Sequence, residues 1–547
     1  MLRNAVISAS NNLNNHRQEV DALNIFPVPD GDTGTNMSMT IGAAAREVTK
    51  FTESSNICEV ADATASALLR GARGNSGVIL SLIFRGIAKG LKDKTEADGH
   101  DIVKAISKGV AAAYKAVMKP TEGTILTVIR VASEEATKLL ETENDPIAIW
   151  DRICTAAIDA LAKTPEQLPV LKKAGVIDAG GQGLVYILLG MKSVFETDTV
   201  IESSGEDAAV STVPSLQSAV GAASGDIEFG YCSEFLIEKD KHCKKDALSL
   251  RAYLESIGDC VVVVDDDQLI KVHVHSNEPG NVIQKALAYG QLINIKIDNM
   301  RHQHRNAAEG TQTQQQIITP QVQAPENEFG FVAVAAGEGI QGLFRDIGVD
   351  NIVSGGQTMN PSTEDILQAV MATPAKNVFV LPNNKNIIMA AEQVIPLVND
   401  RKVHVLQTKT IPQGISAMLA FDDMSEPDEN HINMTGAAKK VGTGTVTFAA
   451  RDSSFDENKI AEGQILGICN GKITYVENDI VRAAYLTSKH LIKRGSTSFV
   501  TLIYGEDTTH DQAQELQHLL EERYGGDLEV TLVNGGQPVY YFIISVE

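Results

Sequence analysis

Apolar residues recur at three- and four-residue intervals through the first part of the chain, and the pattern predicts one helix after another with almost no strand signal. Val103, Ile106, Val110, Tyr114 and Val117 keep the helical spacing, as do Leu126, Ile129, Val131 and Ala132. About seven or eight helical segments follow one another with short breaks, so an all-α body is expected over 1–195. Between 196 and 226 the pattern thins into Ser, Gly, Ala and acidic residues, the composition of a flexible linker.

Alternation then takes over. Residues 227–304 read strand, helix, strand, strand, helix, strand, a split β-α-β-β-α-β unit of α+β class in which the first and third strands are antiparallel neighbours. A Gln-rich stretch, 305–328, cannot bury a core and reads as a second linker. From 329 to 547 strands alternate with helices, which predicts a parallel α/β sheet at least in the first part of that region.

Composition narrows the classes. A chain of 547 residues is too long for one core and suggests about three domains. The net charge of −23 argues against a nucleic-acid partner held through phosphates and against an anionic membrane surface. Neither a secretory leader nor a run of membrane-spanning length is legible, and six cysteines without framework spacing fit reduced thiols, so a cytoplasmic protein is expected.

The densest chemistry lies in Asn24-Ile-Phe-Pro-Val-Pro-Asp-Gly-Asp-Thr-Gly-Thr-Asn-Met37. Pro27 and Pro29 keep the approach extended, which places Asp30 and Asp32 on a loop. Two carboxylates one residue apart call for a cation, and hard oxygen ligands favour Mg²⁺, which bridges to nucleotide phosphates. Thr33, Gly34, Thr35 and Asn36 add donors and a close backbone approach. The plain alternative is an Asp-Gly turn with solvated carboxylates.

Three further breaks carry candidate chemistry. Gly71-Ala-Arg-Gly-Asn-Ser-Gly77 precedes the apolar run Val78–Phe84, so Gly74, Asn75, Ser76 and Gly77 would open a helix whose N-terminus suits phosphate, with Arg73 beside it. No Walker P-loop occurs, so ATP would have to bind another way. Thr124 is a nucleotide contact or a helix N-cap, and Asp178 a contact or a turn residue.

In the 227–304 region His273 and His275 face one side of a strand and Cys232 lies near the start of its neighbour, a zinc-type set. Cys243 or His242 could complete it, and two strand histidines facing water are the alternative. Further on, Gly337-Glu-Gly-Ile-Gln-Gly342 matches the dinucleotide fingerprint, but no acidic residue follows the next strand to hold a ribose, so it is taken as a decoy. The loops 354–362, 382–386 and 410–414 should lie at the carboxyl edge of the sheet, where α/β proteins engage ligands or partners.

The Asp30–Asn36 stretch resembles the ATP-binding L-type domain of dihydroxyacetone kinases, and the three regions together resemble the fatty acid kinase A family. That resemblance implies a multidomain protein: an all-α helical barrel, a small α+β domain and a C-terminal α/β region of DegV-like fold. It further implies transfer of the ATP γ-phosphoryl group to a fatty acid carboxylate presented by a separate DegV-type fatty-acid-binding protein, and a homodimer. Asp30 and Asp32 become Mg²⁺ ligands with Arg73 assisting transfer, Thr33–Asn36 and Gly74–Gly77 bind phosphate, and Thr124 and Asp178 touch the nucleotide. Cys232, His273 and His275 become a structural Zn²⁺ site. Dihydroxyacetone kinases carry a third acidic ligand shortly before the pair; here that region offers only Asn24 and apolar residues. The chain begins close to its first helix, and relatives are expected to have a further first turn. A dihydroxyacetone-type kinase or a non-catalytic nucleotide-binding scaffold are the competing functions.

Overall fold

The computed structural model describes residues 1–24, 32–52, 55–117, 119–203, 229, 231–239, 247–265, 269–299, 323–356, 359–455 and 458–547. Asp30, His242, Cys243 and most of both expected linkers lie outside them. Two compact units result, one made of 1–208 together with 319–547 and the other of 209–318.

Among the described residues of the first unit, the elements of the N-terminal part are helices: α1 (Leu2–Asn15), α2 (Arg17–Ala22), α3 (Thr33–Val48), α4 (Ile57–Gly71), α5 (Gly74–Gly90), α6 (Gly99–Ala116), α7 (Ile125–Leu139), α8 (Pro146–Ala162), α9 (Thr164–Gln167), α10 (Pro169–Ala174) and α11 (Ala179–Thr197). The three beyond the expected number, α2, α9 and α10, have 6, 4 and 6 residues, too short to show a helical period. Packing neighbours run α1, α3, α4, α5, α6, α7, α8, α11 and back to α1 around one apolar core.

The helix α5 explains why this part does not stand alone. Its run Val78–Phe84 is apolar except for Ser81, which only burial on two sides satisfies. Leu80, Ile83 and Phe84 enter the helical core, while Val78 and Leu82 enter a second core with Val332, Val334, Ile366 and Val380. Just before α5 the backbone pairs across the same seam: Thr363 N donates to Ala72 O at 3.1 Å, and Arg73 and Ser362 form an antiparallel bridge.

That second core belongs to a four-stranded parallel sheet of Asn327–Ala335, Asn351–Ser354, Ala375–Leu381 and Lys402–Val405, with the first and third strands central. Residues from 442 onward do not extend it. They form a separate six-stranded sheet, antiparallel except for the pair Phe499–Tyr504 and Glu529–Asn534. Ile503 and Ile543 of this sheet pack with Phe331 and Phe379 of the other.

The decoy glycines belong to the junction of the two sheets. A Cβ at Gly339 would lie 1.8 Å from Asn534 O and one at Gly337 would lie 2.4 Å from Gly535 O. The amides of Gly339 and Ile340, which a pyrophosphate would need, donate to Gly535 O.

Among its described residues the second unit has an antiparallel sheet of Tyr231–Lys239, Gly258–Asp265, Leu269–Ser276 and Gly290–Asn299 with the helices Ala247–Ile257 and Pro279–Ala286. Its first and third strands are the expected neighbours, with Cys232 opposite His275 and Glu234 opposite His273. Among the described residues no helix is long and apolar enough to cross a membrane.

Candidate active site

Four helices of the first unit begin at one place. Asp32, Arg73, Thr124 and Asp178 are the N-cap residues of α3, α5, α7 and α11. Asp32, Thr33, Asn36, Asn75, Ser76, Thr124 and Asp178 line a single cavity of about 480 Å³. Helix N-termini carry partial positive charge and unpaired amides, so their convergence favours an anion.

At α3 the donors divide. Asp32 and Thr33 face the cavity, and Thr33 Oγ1 donates to Asn24 Oδ1 at 2.8 Å. The amides of Gly34 and Thr35 turn the other way, onto Asp21 Oδ1 at 2.7 and 3.1 Å, and Thr35 Oγ1 donates to Asp21 Oδ2 at 2.8 Å. Gly34 and Thr35, expected to bind phosphate, are therefore engaged by a carboxylate that caps the helix. A Cβ at Gly34 would sit 2.3 Å from Arg17 O, so the glycine serves packing of α3 on α2.

Asp21 lies only three residues before Asn24, and reading that stretch as Asn24 plus apolar residues overlooks it. In this structure it braces the site from behind.

At α5, Gly74 has φ +58°, a conformation that suits glycine, and a Cβ there would lie 2.7 Å from Asn36 Nδ2. Asn75 and Ser76 reach the cavity, whereas Gly77 packs on Thr40 Oγ1, 2.4 Å from its Cβ position. Arg73 points elsewhere: Nη1 donates to Asn360 O at 2.7 Å and Nη2 lies 3.5 Å from Asp365 Oδ2. Arg73, Gly34, Thr35, Gly74 and Gly77 are not among the cavity's lining residues.

Thr124 and Asp178 resolve differently. Thr124 Oγ1 donates to Thr121 O at 2.7 Å and makes no capping bond, so its N-cap position alone explains little. Asp178 Oδ2 accepts from Gly181 N at 2.7 Å and caps α11. Burial pushes its carboxyl up to about 6, against the pull of the Gly181 and Ile125 amides.

The C-terminal part closes the cavity. Lys385 and Asn386 line it, and Asn75 Nδ2 donates to Asn386 Oδ1 at 3.3 Å. Asn360 Nδ2 donates to Asp32 Oδ2 at 2.7 Å. The loops 354–362 and 382–386 read as sheet-edge loops, but nothing in their sequence says that Asn360 meets Asp32 or that Lys385 and Asn386 line the cavity.

Three family models match successive stretches of the chain. Residues 27–193 match the DAK2 domain, 228–307 the FakA-like middle domain of fatty acid kinases, and 330–547 the FakA-like C-terminal domain. Protein YloV of Bacillus subtilis is 42% identical, over 99% of this chain and 98% of its own length. The chain belongs to the FakA-like fatty acid kinase family. A Staphylococcus haemolyticus relative is 38% identical over the same shares, 99% and 98%.

Likeness to solved structures is more distant. Dihydroxyacetone kinase from C. freundii, in complex with AMP-PNP and Mg²⁺, is 18% identical over 35% of this chain and 33% of its own, with a TM-score of 0.28. A DegV family protein from Corynebacterium glutamicum is 12% identical over 40% of this chain and 96% of its own, with a TM-score of 0.30. Scores of this size do not by themselves assign a fold.

In this FakA-like chain the second expected metal site is only partly visible. Register places Cys232 beside His275, with Asp259 on the other flank of His275. The side chains of Cys232 and His273 lie outside the described residues, and among the described residues no group of three or more His, Cys, Asp or Glu could hold a metal.

Proposed function

We propose that this chain is the ATP-binding subunit of a fatty acid kinase, transferring the γ-phosphoryl group of ATP to the carboxylate of a fatty acid presented by a separate DegV-type binding protein. The observation that carries this reading is the convergence of four helix N-termini and the Asp32 carboxylate on one cavity. Family membership supports it.

The chemistry suits the residues present. A fatty acid carboxylate titrates at about 4 to 5, so it is ionised at neutral pH and needs no general base. The amides that open α5 and α11 would hold phosphate oxygens, and Ser76, Thr33 and Asn36 would orient them. Lys385, which also lines the cavity, would add positive charge. Asp32, with Asp30, would hold Mg²⁺, which when bound neutralises the transferring phosphoryl group. Hard carboxylate and amide oxygens fit that ion, and the buried Asn75 Oδ1 has no hydrogen-bond partner among the described residues. Arg73, held on Asn360 and Asp365, acts by positioning.

The reading includes a division of labour: nucleotide at 1–195, a structural Zn²⁺ on Cys232, His273 and His275 within 227–304, and carrier recognition at 329–547. It also includes a cytoplasmic homodimer. ATP consumption by the full chain with Mg²⁺, measured with and without a DegV-type protein loaded with oleate, tests it. Turnover only with the loaded protein is expected; ATP binding without turnover in any combination would favour a scaffold, and phosphorylation of dihydroxyacetone a small-molecule kinase.

A further inference from the structure

Asn360 is buried, at 4% exposure, and works in two directions. Its side-chain amide holds Asp32 Oδ2 at 2.7 Å, and its backbone carbonyl accepts Arg73 Nη1 at 2.7 Å. Asp32 and Arg73 hold the N-cap positions of α3 and α5, so one residue of the C-terminal sheet region ties together two of the helix starts at the cavity.

Described residues on either side of Asn360 are held by hydrogen bonds. Gly356 N donates to Met359 O at 2.8 Å, and Asn384 Nδ2 holds Gly356 O. Gly355 has φ +132°, and a Cβ there would meet Met359 O at 2.7 Å. On the far side Ser362 and Asp365 form a capping box at the start of Thr363–Ala372, with Ser362 N donating to Asp365 Oδ2 at 2.7 Å. A short, buried amide side chain whose own amide and carbonyl are both bonded has little freedom, which is what holding a carboxylate in one orientation requires.

We propose that Asn360 is a positioning residue for the cation site at Asp32, so that the metal-phosphate site of the helical part is completed by the C-terminal part of the same chain. The inference rests on the reading of the cavity as a Mg²⁺-nucleotide site. An amide N–H on one carboxylate oxygen fixes the rotation of the group and leaves its charge intact, which is the usual task of a residue behind a metal ligand. Asn360→Ala removes that donor. Asn360→Asp keeps the shape and sets a second carboxylate against Asp32, which a divalent cation relieves.

The test uses the full chain. Calorimetric titration with ADP at stepped Mg²⁺ is run on the natural protein, Asn360→Ala and Asn360→Asp, with the thermal midpoint of each recorded with and without Mg²⁺ alone. The expected result is that Asn360→Ala needs roughly tenfold more Mg²⁺ for half-maximal ADP binding, the usual size of such an effect. Asn360→Asp is expected to melt lower than the natural protein without the cation and to gain more from it. If the natural protein binds no ADP with Mg²⁺, the nucleotide reading itself fails, and this proposal with it. If the natural protein binds and both variants show its Mg²⁺ dependence, the positioning role is overturned while the nucleotide reading stands. A misfolded Asn360→Ala leaves the isosteric Asn360→Asp to decide.

Discussion

Arg73 Nη1 donates to the carbonyl oxygen of Asn360 at 2.7 Å, across 287 positions of sequence. The glycine-rich stretch around Arg73 reads as a phosphate loop, yet its one cation joins two parts of the fold. Arg73→Ala should lower stability by about 1 to 3 kcal/mol, the cost of leaving a buried acceptor without its charged donor. Chemical denaturation measures it. Arg73→Lys should recover only part, because a single ammonium cannot reproduce the forked contact to Asn360 and Asp365. An Arg73→Ala protein of unchanged stability would remove the seam as an explanation.

Gly34 separates a packing glycine from a ligand-approach glycine. Its Cβ position is 2.3 Å from Arg17 O, a backbone atom that cannot rotate away. Gly34→Ala should destabilise the protein by about 1 to 3 kcal/mol through overpacking. Because Gly34 N faces Asp21, away from the cavity, added ADP and Mg²⁺ should raise the thermal midpoint of the variant by as much as that of the natural protein. A selective loss of the ligand-induced shift would mean that Gly34 serves the ligand after all.

Asp178 predicts a pH dependence with a definite sign. Its carboxyl is raised from 3.8 to about 6 in the folded protein, so the folded state holds the proton to higher pH than the unfolded chain does. The protonated group therefore favours folding at low pH, and that contribution is lost as pH rises from about 4 through 6, on the order of 2 to 3 kcal/mol in all. Asp178→Asn keeps an N-cap residue and carries no charge. The stability of the variant relative to the natural protein should be near zero at about pH 4 and rise toward pH 7; a difference that does not change with pH would contradict the assignment.

How much of this was legible follows from range along the chain. The helical spacing of Val103 to Val117 and the largely apolar run Val78–Phe84 encode local facts, and both became helices. That the first and third strands of the second unit are neighbours followed from a recurring topology, and the structure adds the register that sets Cys232 opposite His275. Asp32, Asn36, Asn75, Thr124 and Asp178, singled out in the sequence, line one cavity: Asp32 was legible as one of a carboxylate pair, the others because helix starts announce themselves with polar residues and glycine. Asp21 was missed because a carboxylate that braces a helix from the preceding segment looks like any surface acid. Asn360 could not be found at all, since its partner is 328 positions away and its own surroundings read as a turn before a capped helix. The loop glycines misled for a related reason: a close approach of backbone to backbone and one of backbone to phosphate ask for the same residue.

The central claim is that the cavity at the four helix starts is a phosphoryl-transfer site organised on Asp32. The most direct measurement is ATP turnover by Asp32→Ala in the presence of Mg²⁺ and an oleate-loaded DegV-type protein, with circular dichroism to verify the fold. Turnover at background level with an unchanged helical spectrum is the predicted result. A folded Asp32→Ala protein that turns ATP over like the natural one would contradict the account.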